Sequence, residues 1–151
     1  ITLMNKDKDI NVMMVLGADK RLAQKAPDAQ IYFVKAVELE NYYALLKKLN
    51  WNLGIAPLAK DNFNRSKSNL KILEYMALGI APLATNIENY EKTLKQDFPE
   101  LLVKQKRDWV WHIEQILNSA HISSEKMYQF VKTKYNIENQ AHLWKLSYEK
   151  S

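Results

Sequence analysis

Between residues 10 and 103 short apolar runs alternate with stretches of helical periodicity, and this alternation restricts the fold more than any other feature. Ile10-Asn11-Val12-Met13-Met14-Val15-Leu16, closed by Gly17, reads as a strand buried on both faces. Helix formers occupy residues 18–25 and stop before Pro27. Ile31-Tyr32-Phe33-Val34 is a second strand, and the apolar positions 39, 42, 43, 45, 46 and 49 mark an amphipathic helix. Leu53 to Leu58 is a third strand. Residues 67–78 are strongly helical and end at Gly79, the residue favoured just past a helix C-terminus. Ile80 to Ala84 is a fourth strand, with Pro82 suited to an edge or a strand end, and Leu101-Leu102-Val103 a fifth. From Trp109 onward the pattern is helical, over about 108–118, 123–134 and 137–149. Such alternation predicts an α/β fold: a Rossmann-like parallel sheet flanked by helices with a helical C-terminal tail, one domain over residues 1–151.

The glycine count narrows the chemistry. Gly17, Gly54 and Gly79 are the only three, where about ten are expected at roughly 7% usage. No G-x-G-x-x-G turn, P-loop or G-x-S-x-G elbow can be written with them. The absence of cysteine removes thiol nucleophiles, Cys-rich zinc sites and disulfides. A net charge of +5 favours an anionic partner, but the basic residues are dispersed, which favours small phosphates over nucleic acid. No run of 18 apolar residues or signal-peptide pattern is present. The chain opens on Ile1 rather than methionine, which points to a domain cut from a longer polypeptide.

In open parallel sheets ligands bind beyond the carboxyl ends of the strands. Of the loops there, the one after Leu58 is the longest and most basic. It reads Lys60-Asp61-Asn62-Phe63-Asn64-Arg65-Ser66-Lys67-Ser68-Asn69-Leu70-Lys71-Ile72-Leu73-Glu74. Ser66 stands where an N-cap is expected. At 100° per residue Lys67, Lys71 and Glu74 fall within about 60° of one another, while Leu70, Leu73, Met76 and Ala77 occupy much of the rest of the circumference and are expected to pack on the sheet. The N–H groups of Ser68, Asn69 and Leu70 would lack helical partners at the positive end of the helix dipole. Lysines there are mutually unfavourable unless an anion binds, and Glu74 could accept bonds from neighbouring hydroxyls of a ribose. The plain alternative is a solvated helix face with an internal Lys71–Glu74 pair, contributing a few tenths of a kcal/mol.

The stretch from Trp51 to Tyr90 resembles the nucleotide-binding half of group 1 glycosyltransferases of the GT-B fold. The likeness runs through the strand, the "APL" loop, the Lys-Ser-x-x-Lys-x-x-Glu helix, Gly79 and the next strand. A weaker likeness extends through "VMMVLG" and "IYFVKAVELENYYALLKKLN" on one side and "KYNIENQAHLW" on the other. The resemblance implies a nucleoside-diphosphate-sugar donor site with Glu74 on the ribose and amides near Asn69 and Leu70 on the diphosphate. Arg65, Ser66, Lys67, Ser68 and Lys71 complete that site, and Lys20 and Arg21 are candidates for phosphate contact. The family commonly has two glutamates eight positions apart; here the first is Ser66, beside Lys67, which reads as a subfamily trait. No catalytic residue is assigned.

The resemblance further implies retaining, metal-independent transfer of a sugar to a glycan or lipid-linked acceptor, in polysaccharide or cell-envelope glycan synthesis. No cofactor is expected. The partners would be the donor nucleotide, an N-terminal acceptor-binding domain outside this chain and a membrane surface, with no nucleic acid. The expected location is cytoplasmic, peripheral at the inner face of a membrane. The alternative is a degenerate, non-catalytic transferase-like module for protein or membrane-surface docking. His112, His121 and His142 lack metal-ligand spacing and are expected in surface or structural roles. Trp109, Trp111, Trp144, Tyr42, Tyr43 and Tyr75 are expected in the core. Asn86, Glu88 and Tyr90 follow a strand end and could border a cleft.

Overall fold

Each strand pairing among the described residues is parallel, as the alternation requires. The computed structural model describes residues 12–15, 31–35, 37–118 and 122–148. The chain divides into two compact units, Ile1–Lys48 and Leu49–Ser151. In the first, β1 (Val12–Val15) pairs with β2 (Ile31–Val34) in register Val12↔Ile31 through Val15↔Val34. Helix α1 (Leu39–Leu49) follows, with Glu40 in its first turn and Lys47 and Lys48 in its last, each matched to the helix dipole. The helix expected over residues 18–25, together with Gly17, Lys20, Arg21 and His121, lies outside the described residues.

The second unit runs β3 (Leu53–Ala56), α2 (Asn62–Arg65), α3 (Leu70–Ala77), β4 (Ala81–Thr85), α4 (Glu88–Leu94) and β5 (Leu102–Val103). Helices α5 (Trp109–Asn118), α6 (Ser124–Lys134) and α7 (Ile137–Tyr148) close it. Its sheet has the order β3-β4-β5, with every residue of the central strand buried. The architecture is therefore α/β with a small three-stranded parallel sheet flanked by helices. Among the described residues the strands form one pair and one triplet.

Pro82 sits inside the central strand and is tolerated there for a geometric reason. In a parallel ladder the N–H groups of successive residues face opposite neighbours. Ala81 N–H turns to the β3 side, donating to the Asn52 carbonyl at 3.3 Å, so Pro82 faces the β5 side. There β5 begins to pair only at Ala84, and the missing proline N–H has no ladder bond to forfeit.

Helix α3 is shorter than the expected 67–78. The Asp61 carboxylate accepts from Asn64 N at 2.7 Å and from Asn64 Nδ2 at 2.9 Å, which nucleates the separate turn α2. Ser66 is consequently the C-cap of α2, not the N-cap of α3, and its hydroxyl donates to the Asn62 carbonyl at 3.1 Å. The chain then bends and restarts its helix with Asn69 as N-cap. At the other end the expectation holds. Gly79, at φ 73°, donates to the Met76 carbonyl while Ile80 N–H donates to that of Tyr75, the two bonds of a Schellman motif.

Ile72 and Met76 of α3 join Leu94, Phe98, Leu101, Met127 and Phe130 in the core, each large side chain contributing about 1.5–3 kcal/mol by burial. Ser124 Oγ, opening α6, donates to the Gly79 carbonyl at 2.9 Å and ties α6 to the end of α3. Helix α5 departs from expectation. Its apolar arc runs over Trp109, Val110, Ile113, Ile116 and Leu117, yet no residue of it is fully buried, and Trp111 falls on the other side among Glu114, Gln115 and Asn118. Ile116 packs on the core, Trp109 is half-buried, and Trp111 is 55% exposed, its ring edge-on to His112. Tyr43 is likewise exposed, while Tyr42 and Tyr75 are half-buried. The side chain of Trp144 is outside the described set. Among the described residues no helix is long and apolar enough to cross a membrane.

Candidate binding site at the carboxyl edge of the sheet

The loops leaving β3, β4 and β5 are laced together. Leu58 N–H donates to Thr85 Oγ1 at 3.0 Å, Asn86 N–H to the Val103 carbonyl at 2.8 Å, and Lys60 Nζ to the Lys104 carbonyl at 2.7 Å. The long basic loop thus rests on a fixed edge rather than swinging from β3 alone.

Within that loop the N–H groups of Arg65, Ser66 and Lys67 turn back to the carbonyls of Asp61, Phe63 and Asn64. Those of Ile72 and Leu73 both reach the Asn69 carbonyl. Between these two sets, the N–H groups of Ser68, Asn69 and Leu70 have no hydrogen-bond partner among the described residues. Three successive donors therefore precede or open α3, where its dipole is positive. They are the groups expected from the sequence, although the helix begins later than expected: the bend, not only the helix end, leaves them unpaired.

The side chains around them are polar and cationic. Arg65 is exposed, and its charge, after the larger effect of the Lys92 hydrogen bond and charge, helps hold the Glu88 carboxyl below its ordinary value. Lys67 Nζ lies 4.8 Å from the centroid of the Phe63 ring, which is itself 75% exposed. Lys71 Nζ meets Glu74 Oε2 at 2.8 Å and stands 5.6 Å from the Tyr75 ring centroid. The Glu74 side chain is 12% exposed and Lys71 is 43% exposed, so the carboxylate is held beneath the ammonium. Tyr90 is buried beside this pair; burial pushes its phenol above the ordinary value, and the Lys71 charge offsets part of that rise. Ser68 and Leu70 are exposed at the bend.

Helix α4 holds the segment, and the sequence alone does not single it out. Asn89 Nδ2 donates to the carbonyls of Arg65, at 3.0 Å, and Lys67, at 2.6 Å, while Asn69 Nδ2 donates to Thr93 Oγ1 at 2.9 Å. The available signal was the i,i+3,i+7 spacing of Ile87, Tyr90 and Leu94, together with the i,i+4 ion pairs Glu88–Lys92 and Glu91–Lys95.

The histidines stand apart from this edge. His112 Nδ1 is 3.0 Å from the Glu100 carbonyl, and His142 Nδ1 is 3.1 Å from that of Asn139. Among the described residues no group of three or more His, Asp or Glu side chains could hold a metal ion. Comparison with protein-family models, with curated proteins and with solved structures finds no match to this chain.

Proposed function

We propose that this chain is the donor-nucleotide half of a GT-B glycosyltransferase, binding a nucleoside-diphosphate sugar at the carboxyl edge of its sheet. The observation that carries this reading is the run of unpartnered N–H groups at Ser68, Asn69 and Leu70 beside Lys67, Lys71 and Glu74. A diphosphate accepts hydrogen bonds and carries negative charge, and the bend supplies donors and cations together. In the bound state Lys71 would turn toward phosphate and release Glu74 to accept from the ribose hydroxyls. Charge growing on the leaving diphosphate would be met by the amides and lysines, and the acceptor would be brought by another domain to a retaining, metal-independent transfer.

One observation favours the non-catalytic alternative. The Glu74 carboxylate is already bonded to Lys71, and the Ser66 hydroxyl is taken by Asn62, so both positions are satisfied without ligand. Calorimetry with UDP, GDP and their sugar conjugates separates the two. A transferase half binds one of the diphosphates, and Glu74→Ala weakens that binding at least tenfold. A docking module shows no heat with any of them and no change on substitution.

A further inference from the structure

The side-chain amide of Asn89 is divided between two backbone carbonyls, Arg65 at 3.0 Å and Lys67 at 2.6 Å. Both partners only accept, so the nitrogen faces them, and its two hydrogens match two acceptors. The same residue's backbone carbonyl accepts from Thr93 Oγ1 at 2.8 Å, and that hydroxyl in turn accepts from Asn69 Nδ2 at 2.9 Å. Segment 65–69 is therefore fastened to α4 at three points, and α4 is anchored in the core through Tyr90, Thr93 and Leu94.

The consequence falls on the neighbouring donors. The carbonyls of residues 65 and 67 are turned to Asn89, and the N–H groups of 65–67 are turned to α2 and its cap, which commits these backbone groups. The next three N–H groups are the ones left over. Without Asn89 the two carbonyls would lose their partners, and the peptide units could rotate to offer oxygen rather than N–H to an approaching anion.

We propose that Asn89 is a positioning residue that holds segment 65–70 in its anion-receiving form, so that the diphosphate of a nucleotide meets donors rather than acceptors. It touches no ligand itself. The proposal rests on the donor-site reading above and adds the device that keeps the site ordered before the ligand arrives.

Asn89→Asp tests it, because aspartate keeps the side-chain volume and loses both N–H donors. In the ligand-free 151-residue chain, labelled with ¹⁵N, the amide signals of Ser66 to Leu70 should shift and exchange faster with solvent while those of Ile72, Leu83 and Leu94 stay in place. Affinity for UDP or GDP should fall by about tenfold, the loss of one to two net hydrogen bonds, and affinity for the phosphate-free nucleoside should not change. Thr93→Val, which cuts one link of the three, should move both readouts less and in the same direction. Diphosphate affinity that is unchanged in Asn89→Asp, while Glu74→Ala abolishes binding, overturns the role of Asn89 and leaves the donor site standing. A wild-type chain that binds no diphosphate overturns the donor site and, with it, the purpose assigned to Asn89.

Discussion

The ring of Tyr75 lies against the bare Cα of Gly54. A Cβ built at Gly54 would meet the ring atoms Cδ2, Cε2 and Cζ at 2.7–2.8 Å, closer than van der Waals contact permits. Gly54 thus lets α3 sit close on β3. Gly54→Ala should cost about 1–3 kcal/mol by overpacking. Combining it with Tyr75→Leu should recover part of that loss, since contacting sites couple. Urea unfolding of the two single variants and the double variant measures both quantities.

Gly79 serves the other end of the same helix. Its φ of 73° is left-handed, and an added Cβ would stand 3.0 Å from that of Ser124. Gly79→Ala should destabilise by about 1–2 kcal/mol from backbone strain, with steric crowding against α6 adding to it. Ser124→Ala relieves the crowding but gives up the hydrogen bond to the Gly79 carbonyl, and by itself should cost about 0.5–1.5 kcal/mol. The midpoint of chemical denaturation reports each change.

The phenol of Tyr90 makes stability fall at alkaline pH. Its folded pKa is raised above 10.0 by burial, so the folded state holds the proton longer than the unfolded state does. The contribution is fully present below about pH 10, where both states are protonated, and is lost as pH rises through the folded value. Tyr90→Phe should flatten the decline above pH 10. Lys71→Met, which removes the charge that partly offsets the rise, should push the Tyr90 titration higher still. Ultraviolet difference titration of tyrosinate, wild type against Tyr90→Phe, isolates the group.

The elements legible in the sequence are those whose signal is local. Strands β3 and β4 follow from apolar runs, and the end of α3 from Gly79, because one residue's conformational freedom decides that cap. The existence of α3 follows from its periodicity, but its buried face is Ile72 and Met76, and of the expected face Leu70 and Ala77 are exposed. The start of α3 was not legible, because the Asp61 carboxylate competes for the preceding residues and turns them into α2. Ser66 looked like an N-cap for the same reason: a hydroxyl before a periodic run caps whichever helix the backbone offers, and here it closes the earlier one. Trp111 is exposed because helical periodicity sets it among Glu114, Gln115 and Asn118, away from the Ile113 and Ile116 side, and its size alone does not make it core. Asn89 and Thr93 stayed hidden because their partners lie 22–24 residues away, and no periodicity encodes such a contact.

At the proposed donor site the Lys71 ammonium should contribute to diphosphate affinity. Replacing Lys71 by Met leaves the Glu74 carboxylate without the ammonium at 2.8 Å and removes one cation from the proposed phosphate site. Diphosphate affinity should then fall about tenfold at low salt and by less as ionic strength screens the cation's contribution. A salt series by calorimetry on wild type and Lys71→Met measures the difference in slope.

The three backbone donors of Ser68, Asn69 and Leu70 can be followed one by one by amide NMR of the ¹⁵N-labelled chain. Titration with UDP and GDP should shift the signals of Ser68, Asn69 and Leu70 most, in a saturable manner, and Glu74→Ala should weaken the response while leaving the ligand-free spectrum of the core unchanged. If those three signals stay still at saturating concentrations of both diphosphates, the carboxyl edge of this sheet is not a nucleotide site.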